Sequence, residues 1–372
     1  MSFTLGRWVR TEVSGASHSD RIEVTVSGLP EGETIDMDEI RAFLKRRQGG
    51  NAVYTTARKE ADEPFIKSGV RDEGGTAVLT GEPLVAYFVN SNAKSSDYKK
   101  MRTIPRPSHA DYVAYVKYKG RLDMAGGGFF SGRMTLPMCF AGAVCMQILK
   151  KRGIDIRAHI LSVGDVEDEK FDPVKSDMEA YADHVLPVLS KKAGDEMTAL
   201  MESVSREGDS VGGKIECKVT GLGAGLGDPI YDSLESAISY GIFGIPAIKG
   251  IEFGEGFNVC RDRGSSSNDG FCIRDGKVSC ITNNSGGIQG GITNGMPVMF
   301  SVAVKPTPSI YKKQRSVDLE TMKECELTIE GRHDSCIVPR VVPCVEAMTA
   351  LVLTDVVAGD AEGSRDETEG FA

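Results

Sequence analysis

The chain has 372 residues, 40% of them hydrophobic, which is enough apolar material for one large domain or two smaller ones. Its 44 basic and 53 acidic residues give a formal charge of −9, so it has no general attraction for nucleic acid or an anionic membrane. The first residues lack the apolar core of a signal peptide, and no run approaches the roughly 18 uninterrupted apolar residues of a membrane span. We therefore expect a cytosolic protein with no nucleic-acid or membrane partner.

Cysteine spacing argues against a metal site. The chain has nine cysteines. They form no C-x-x-C pair, none stands at ligand spacing from a histidine, and the count is odd. We expect reduced thiols that serve as small apolar side chains, and no metal.

The first half of the chain predicts both strands and helices. Alternating apolar residues predict a half-buried strand over 21–27. Asp36 followed by Glu39 is typical of a helix start, and this helix should end before the two glycines at 49–50. A second helix, over 136–151, is apolar on most sides and should be buried.

The second half continues the mixture. Its predicted elements are a strand over 214–219, a helix begun by Asp228 and Pro229, a strand over 298–304 and a helix over 340–357. Residues 358–372 are acidic and rich in small side chains, which is typical of a disordered tail. No linker divides 1–357, so we expect one domain there.

Glycine clusters are the next signal. The chain has 43 glycines, with runs at 126–128, 221–227, 286–287 and 290–291. None is a phosphate loop or a dinucleotide fingerprint between strand and helix. The run before Asp228 has the wrong spacing for a dinucleotide fold, so the spacing favours a structural turn over a phosphate cradle.

Three of the five histidines lie in polar clusters punctuated by glycine or proline. These are His18, His109 and His333, and loops of this kind often carry function. Each cluster alone is equally compatible with a structural loop histidine. His159, in a strand-like run, and His184, predicted in a helix, are interpreted as structural.

The motifs form a recognisable order along the chain. They are GASHS (15–19), RRQGG (46–50), RPSHADY (106–112), AGGGFFSGR (125–133), GLGDPIYDSL (225–234), IPAIKGIEFGEGF (245–257), NNSGGIQGGITNGMPV (283–298), KPTPSI (305–310), GRHDSCIVPR (331–340) and VEAMTALVLTD (345–355). In this order the chain is similar to the chorismate synthases throughout residues 1–357.

The resemblance implies an activity, a cofactor and a fold. Chorismate synthases eliminate phosphate from 5-enolpyruvylshikimate 3-phosphate by a 1,4-anti elimination, in the shikimate pathway of aromatic amino acid biosynthesis. They need reduced FMN although the reaction has no net redox change. The implied fold is an α+β sandwich, with helices packed between antiparallel sheets. A homotetramer and an external flavin reductant are implied partners.

The resemblance also assigns roles to residues. His18, with Ser17 beside it, would be the acid that meets the leaving phosphate, His109 would act near the flavin ring, and Asp334 would handle a proton. The implied substrate-binding residues are Arg46, Arg47, Arg106, Arg133 and Arg332. The implied FMN-binding residues are Ser131, Ala247, Gly290, Lys305, Thr307, Ser309 and Arg332. Without the family, Arg46 and Arg47 are explained by compensation of a helix dipole, and Lys305 is an ordinary strand-end lysine.

Several positions depart from the family pattern. They are Ala16, Ser19, Val53, Ser108, Phe129, Met134 and Ser335. Ser108 stands for a glycine, which is unfavourable if the position needs positive φ. The departures leave a second hypothesis open, a weakened relative that binds FMN or an anion as a non-enzymatic oligomer. A nicotinamide oxidoreductase, the third idea, rests only on the glycine run before Asp228.

Overall fold

The computed structural model describes residues 2–49, 54–55, 61–90, 103–329 and 333–370. The strands in these residues are β1 Ser2–Leu5, β2 Arg10–Ser14, β3 Arg21–Ser27, β4 Thr34–Ile35, β5 Phe65–Ser68, β6 Val70–Glu73, β7 Thr76–Leu79, β8 Leu84–Val89, β9 Asp155–Val163, β10 Val166–Glu167, β11 Gly213–Thr220, β12 Ile248–Phe253, β13 Phe271–Arg274, β14 Lys277–Cys280, β15 Ile288–Gln289, β16 Ile292–Thr293, β17 Val298–Val304, β18 Gln314–Asp318 and β19 Lys323–Leu327. The helices are α1 Met37–Arg47, α2 Asp111–Lys117, α3 Thr135–Lys151, α4 Lys191–Arg206, α5 Leu234–Ile242, α6 Gly264–Ser267 and α7 Val338–Gly370.

Alternating side chains of β3 place one face of the first sheet in the core. Ile22, Val24 and Val26 have no exposed surface. The sheet has the order β1-β2-β3-β8-β5, and β3 pairs antiparallel with β8, Val24 opposite Ala86. The strand predicted over 21–27 is confirmed at both ends.

A second antiparallel sheet has the order β10-β9-β11-β17-β12. Its central strand β11 pairs Cys217 with Ala158 of β9 and with Phe300 of β17. The strand over 298–304 is confirmed, and β11 extends the one predicted over 214–219 by one residue at each end.

Helices form the layer between these sheets. α3 packs on β3 of the first sheet and on β9 of the second, while α7 packs on α3, β9 and β11. A Cβ on Gly142 of α3 would lie 2.4 Å from the Cβ of Ala347, so a glycine is needed where α3 and α7 approach. One hydrophobic cluster joins Val24, Phe140 and Val302 across the layers. This is the expected α+β sandwich.

Two helical stretches are long and apolar enough to cross a membrane by length and composition. They are Gly132–Lys151 and Val338–Ala361, and 78% of the most apolar window of each is buried inside the protein. Helices that are apolar on most sides are expected in the core of a large domain. The apolar character of both stretches is therefore explained by packing.

Two local predictions were wrong. The helix predicted to begin at Asp228 instead begins after Ser233, whose hydroxyl accepts a 3.1 Å hydrogen bond from the Ser236 amide. Ile230 has a φ of +64°, so helical geometry cannot run continuously from Pro229. His184 lies in irregular chain between β10 and α4, not in a helix, and its Nδ1 accepts from a main-chain amide at 2.9 Å.

The last helix is longer than predicted. α7 runs from Val338 to Gly370, whereas the sequence pattern placed its end at residue 357. Residues 358–370 are thus helical where a tail without regular structure was expected.

Candidate active site

The turn between β2 and β3 positions the first histidine. Gly15 has a φ of +99°, and a Cβ there would lie 2.7 Å from the main chain of β3. The Ser19 hydroxyl accepts a 3.0 Å hydrogen bond from the amide of Ala16, which closes the turn. Ser17 Oγ lies 3.0 Å from Nδ1 of His18. The departures at Ala16 and Ser19 are therefore compatible with a defined Ser17–His18 pair.

A glycine loop brings two imidazoles together. Gly126 and Gly127 have φ values of +61° and +89°. A Cβ on Gly126 would lie 2.0 Å from Cε1 of His18, and one on Gly127 would lie 3.5 Å from Cε1 of His109. The Cβ of Ser131 is 3.6 Å from the position that a Cβ on Gly127 would occupy. His18 and His109, far apart in the sequence, thus lie against successive residues of one loop.

A buried ion pair orients His109. Arg106 contacts both carboxylate oxygens of Asp111, at 2.7 Å from Nε and 2.9 Å from Nη2. Nδ1 of His109 lies 2.7 Å from Oδ1 of Asp111. Because an ionised carboxylate only accepts hydrogen bonds, Nδ1 carries the hydrogen. Nε2 is then the nitrogen on the side of Gly127, 3.6 Å from its Cβ position.

Opposing effects set the protonation of this cluster. Burial lowers the pKa of His109, and the hydrogen bond to Asp111 only partly offsets that effect. The positive charges of Arg106 and Lys305 lower this pKa further. Burial alone would raise the pKa of Asp111, but hydrogen bonds from Arg106 and His109 hold it well below its usual range. At neutral pH the cluster contains an ionised Asp111 and a neutral imidazole whose Nε2 can accept a proton.

Ser108 does occupy a position of positive φ, at +58°. A residue with a side chain costs about 1–3 kcal/mol in such a conformation, which glycine would adopt without strain. The Ser108 carbonyl accepts a 2.8 Å hydrogen bond from Nζ of Lys305. This contact holds the strained loop against the segment that follows β17.

The segment after β17 lies beside the Arg106 cluster. Ser309 Oγ accepts a 3.4 Å hydrogen bond from Nη1 of Arg106. The amide of Lys305 donates to the carbonyl of Ala247 at 3.0 Å, and Ala247 has a φ of +76°. The structure therefore brings together three of the residues that the resemblance assigns to FMN, with Arg106.

This segment has the chemistry of an anion site. Burial lowers the pKa of Lys305, and the nearby charge of Lys249 lowers it further. No carboxylate among the described residues forms an ion pair with Lys305. The Thr307 hydroxyl oxygen is buried without a hydrogen-bond partner in the described part of the chain. An ammonium beside an unsatisfied hydroxyl is suited to a bound phosphate.

A buried carboxylate links two of the predicted arginines. Asp62 accepts from Nη2 of Arg47 at 2.7 Å and also forms an ion pair with Arg133. Nε of Arg133 donates to Asn90 Oδ1 at 3.1 Å, and Asn90 Nδ2 donates to the carbonyl of Ser19 at 2.7 Å. Arg47 and Arg133 are thus connected to the turn that carries His18.

Asp334 joins the same network from the other side. Its Oδ2 lies 2.6 Å from Nη1 of Arg340, and Nε of Arg340 donates to the Arg47 carbonyl at 2.9 Å. The three groups proposed for catalysis, His18, His109 and Asp334, therefore belong to one connected set of contacts. Their roles stay predictions.

Comparison with known proteins gives the family. A family model described as chorismate synthase matches residues 9–358. The chain is 41% identical to the chorismate synthase of Lancefieldella parvula over 370 residues, 96% of each chain. It is 43% identical to that of Thermococcus gammatolerans over 350 residues, 94% of this chain and 96% of that one. The chain belongs to the chorismate synthase family. It is accordingly a carbon–oxygen lyase.

A solved structure supports the fold. A crystal structure of a chorismate synthase matches with a TM-score of 0.73 and 26% identity, over 95% of this chain and 93% of that one. The sandwich expected from the resemblance to chorismate synthases is confirmed.

Two predicted residues lie apart from this set of contacts, and a third is outside the described residues. Arg46 forms a bidentate ion pair with Glu346, in which Nη1 and Nη2 donate to the two carboxylate oxygens at 2.6 and 3.0 Å. Both side chains line a cavity of about 340 Å³ between α1, α3 and β9. Gly290 lies in the turn between β15 and β16 with open space around its Cβ position. Arg332 falls outside the described residues. For all three, the roles assigned in chorismate synthases stay predictions.

Some departures from the chorismate synthase pattern have packing roles. Phe129 contacts the rings of Phe3 and Tyr118, with centroids 5.4 and 5.7 Å apart. Met134 is 2% exposed and belongs to the core. Val53 lies outside the described residues. Phe129 therefore supports the glycine loop through aromatic contacts rather than through charge.

Sequence reasoning missed the acidic partners. Asp111 was noted only as part of a polar cluster, yet its position within RPSHAD was a usable signal for a partner of Arg106. Asp62 and Asn90 stand in no motif, and their roles come from tertiary contacts. A buried arginine needs a carboxylate partner, so the predicted arginines were the one general signal that buried acidic partners exist.

Proposed function

We propose that the protein converts 5-enolpyruvylshikimate 3-phosphate to chorismate and phosphate by a 1,4-anti elimination, with reduced FMN as cofactor. The observation that carries the proposal is the contact of His18 and His109 with successive glycines of one loop. Arg133 contacts Asn90, Arg106 contacts Asp111, and Lys305 contacts Ser108. These residues supply the cations that binding of a substrate with two carboxylates and a phosphate requires.

His18 is the proposed acid for the leaving phosphate. The turn that holds it is fixed by hydrogen bonds of Ser19 and Asn90, so the imidazole is positioned before substrate arrives. Ser17 Oγ lies beside Nδ1 at 3.0 Å and orients the ring. An imidazole can protonate or hydrogen-bond a phosphate oxygen near neutral pH, which lowers the charge of the leaving group.

Cations around the loop are proposed to bind the substrate anions. Arg47 and Arg133 share Asp62, so their positions are fixed while the pair keeps a net positive charge. Arg106 is held similarly by Asp111. Guanidinium groups fixed in this way bind carboxylate or phosphate with little loss of side-chain entropy.

The residues fit a flavin mononucleotide phosphate. Thr307 has a buried hydroxyl without an internal partner, and Lys305 is an ammonium without a carboxylate partner among the described residues. The residues that would hold the cofactor are Ser131, Ala247, Lys305, Thr307 and Ser309. When bound, reduced FMN supplies electron density transiently without net redox change. Nε2 of His109 would accept or return a proton beside the ring, and Asp334, held by Arg340, would handle the second proton.

The same family membership supports the remaining features of the proposal. We propose a cytosolic homotetramer that receives reduced flavin from an external reductant. The exposed Tyr231, Tyr240 and Phe257 provide apolar surface for subunit contacts.

The decisive experiment is an anaerobic assay of the purified protein with substrate and reduced FMN, monitored by chorismate absorbance. Turnover that depends on both components supports the proposal. FMN binding without turnover would instead support the weakened, non-enzymatic relative.

The glycine loop offers a sharper version of that assay. Gly126→Ala places a Cβ at 2.0 Å from His18 and at positive φ, so we expect turnover to fall about 100-fold, as for a 1 Å misplacement of a catalytic group. Gly132→Ala is the matched control, because its Cβ would lie in open space a few residues away. Equal activity of the two variants would contradict the proposed site.

A further inference from the structure

Two cysteines from different helices are in contact near Arg47. Cys139 lies on α3 and Cys344 on α7, 205 residues apart in the sequence. Both are buried, and their sulfur atoms are 3.7 Å apart. The guanidinium of Arg47 is close enough to act on both thiols electrostatically.

The Cys344 thiol donates a 3.3 Å hydrogen bond to the carbonyl of Arg340, and its surroundings lower its pKa. A hydrogen bond from Cys139 lowers the pKa of Cys344 to about 7, although burial opposes the shift. The charge of Arg47 acts in the same direction. Burial raises the pKa of Cys139, which therefore stays a protonated thiol. The pair combines a nucleophilic sulfur with an adjacent thiol, the arrangement from which disulfides form.

We propose that Cys139 and Cys344 are a redox modification site, forming a reversible disulfide that links α3 to α7 beside Arg47. Hydrogen peroxide is the proposed class of oxidant. The Cys344 sulfur attacks one peroxide oxygen, the O–O bond breaks, and a sulfenic acid and water result. Cys139 then attacks that sulfur, the S–O bond breaks, and a second water leaves. Two thiols and one peroxide give one disulfide and two waters, with sulfur oxidised and oxygen reduced.

The start of α7 is suited to the required movement. A disulfide has an S–S distance of about 2.0 Å, so the sulfurs must approach from 3.7 Å. Pro343, directly before Cys344, lies inside α7 and has no amide hydrogen. This turn therefore lacks one main-chain hydrogen bond and deforms more easily than an ordinary helical turn.

The disulfide would act on the site through Arg340. This residue lies one turn before Cys344 on α7, and its side chain contacts both Asp334 and the carbonyl of Arg47. A displaced first turn moves these groups, and oxidation also removes the hydrogen bond from the Cys344 thiol to the Arg340 carbonyl. We expect turnover to fall 10- to 100-fold, on the order of the effect of a 1 Å misplacement. This functional effect rests on the proposed function, whereas formation of the disulfide does not.

The test is peptide mapping of the full-length protein after treatment with hydrogen peroxide and blocking of the remaining thiols. We expect a linked Cys139–Cys344 peptide in the wild type and in Cys145→Ala, and none in Cys139→Ala or Cys344→Ala. Cys145 is a matched control, since it is also buried on α3 and burial raises its pKa to about 12. The exposed Cys260 reports whether the oxidant reached the protein.

The outcomes are distinct. A linked peptide that disappears with dithiothreitol, together with recovered turnover, supports the inference. Oxidised Cys260 without a linked peptide overturns the disulfide. A linked peptide with unchanged turnover overturns its effect on the site. If the protein is inactive before oxidation, the proposed function fails, while the mapping still decides the disulfide.

Discussion

Two of the histidine–carboxylate clusters among the described residues, those of His159 and His109, have opposite character. Nδ1 of His159 lies 3.2 Å from Asp168 and Nε2 lies 3.0 Å from Glu216, and the ring has no exposed surface. His109 binds Asp111 through Nδ1, while its Nε2 is on the side of the glycine loop. One imidazole has both nitrogens bound inside the protein, and the other keeps one nitrogen for a ligand.

The pKa values of His159 and His109 shift in opposite directions because different charged groups lie beside the two rings. Burial lowers the pKa of each ring. For His159, hydrogen bonds to Asp168 and Glu216 outweigh burial and raise the pKa. For His109, the positive charge of Arg106 adds to burial, and the pKa is lowered. Two carboxylates thus stabilise the protonated form of His159, whereas a carboxylate shared with a guanidinium leaves His109 a neutral ring that can exchange a proton.

The largest expected effect is on turnover. His18→Ala and His109→Ala should each lower the rate by about 10²- to 10⁴-fold, the usual contribution of a positioned acid or base. Their unfolding free energies should change little compared with that of a His159 variant. The measurements are the anaerobic assay and urea denaturation.

A third histidine provides the control for this prediction. His184 accepts one main-chain hydrogen bond outside the site, so His184→Ala should retain near-normal turnover. Wild-type rates in both His18→Ala and His109→Ala would remove these residues from the mechanism.

The next effect is on stability. His159→Ala leaves two buried carboxylates without their cation, and breaking a buried ion pair in this way costs about 3–5 kcal/mol. Turnover per folded molecule should stay near the wild-type value. Urea denaturation measures the loss, and a wild-type midpoint would show that the cluster contributes nothing to folding.

The pH dependence of that loss sharpens the comparison. The folded-state pKa of His159 is raised above its usual value, so its stabilisation is fully present below about pH 6.5 and is lost as pH rises through the folded pKa. Each unit of pKa difference corresponds to about 1.4 kcal/mol. The stability gap between wild type and His159→Ala should therefore narrow at alkaline pH; a gap that widens would refute the imidazolium assignment.

Local patterns predicted the elements whose causes are local. The capping interaction at Asp36 is present, since its Oδ1 accepts from the amides of Asp38 and Glu39 at 2.8 and 3.0 Å. The predicted start of α5 was wrong because Ile230 has a φ of +64°, which interrupts helical geometry after Pro229 and has no sequence signature.

The candidate site was predicted only in part for a similar reason. Motif resemblance located His18 and His109 but carries no information on which carboxylate meets which arginine. Asp62 bridges Arg47 and Arg133 because the folded chain brings all three together, and no spacing rule encodes that contact. Which carboxylate pairs with which arginine could be identified only from the folded structure.

The smallest expected effect concerns the Thr307 hydroxyl, which, unlike the His159 ring, has no hydrogen-bond partner among the described residues. Thr307→Val removes the unpartnered oxygen while keeping the shape of the side chain, so stability should be unchanged or slightly higher. FMN affinity should fall about 10- to 100-fold, because a hydrogen bond to a charged group contributes about 1.5–3 kcal/mol. Fluorescence quenching of FMN measures this. Thr354→Val is the matched control: its hydroxyl donates to Ala350 at 2.7 Å inside α7, so it should lose stability and keep FMN affinity. The reverse pattern would make Thr307 a structural residue and remove the hydroxyl from the phosphate site.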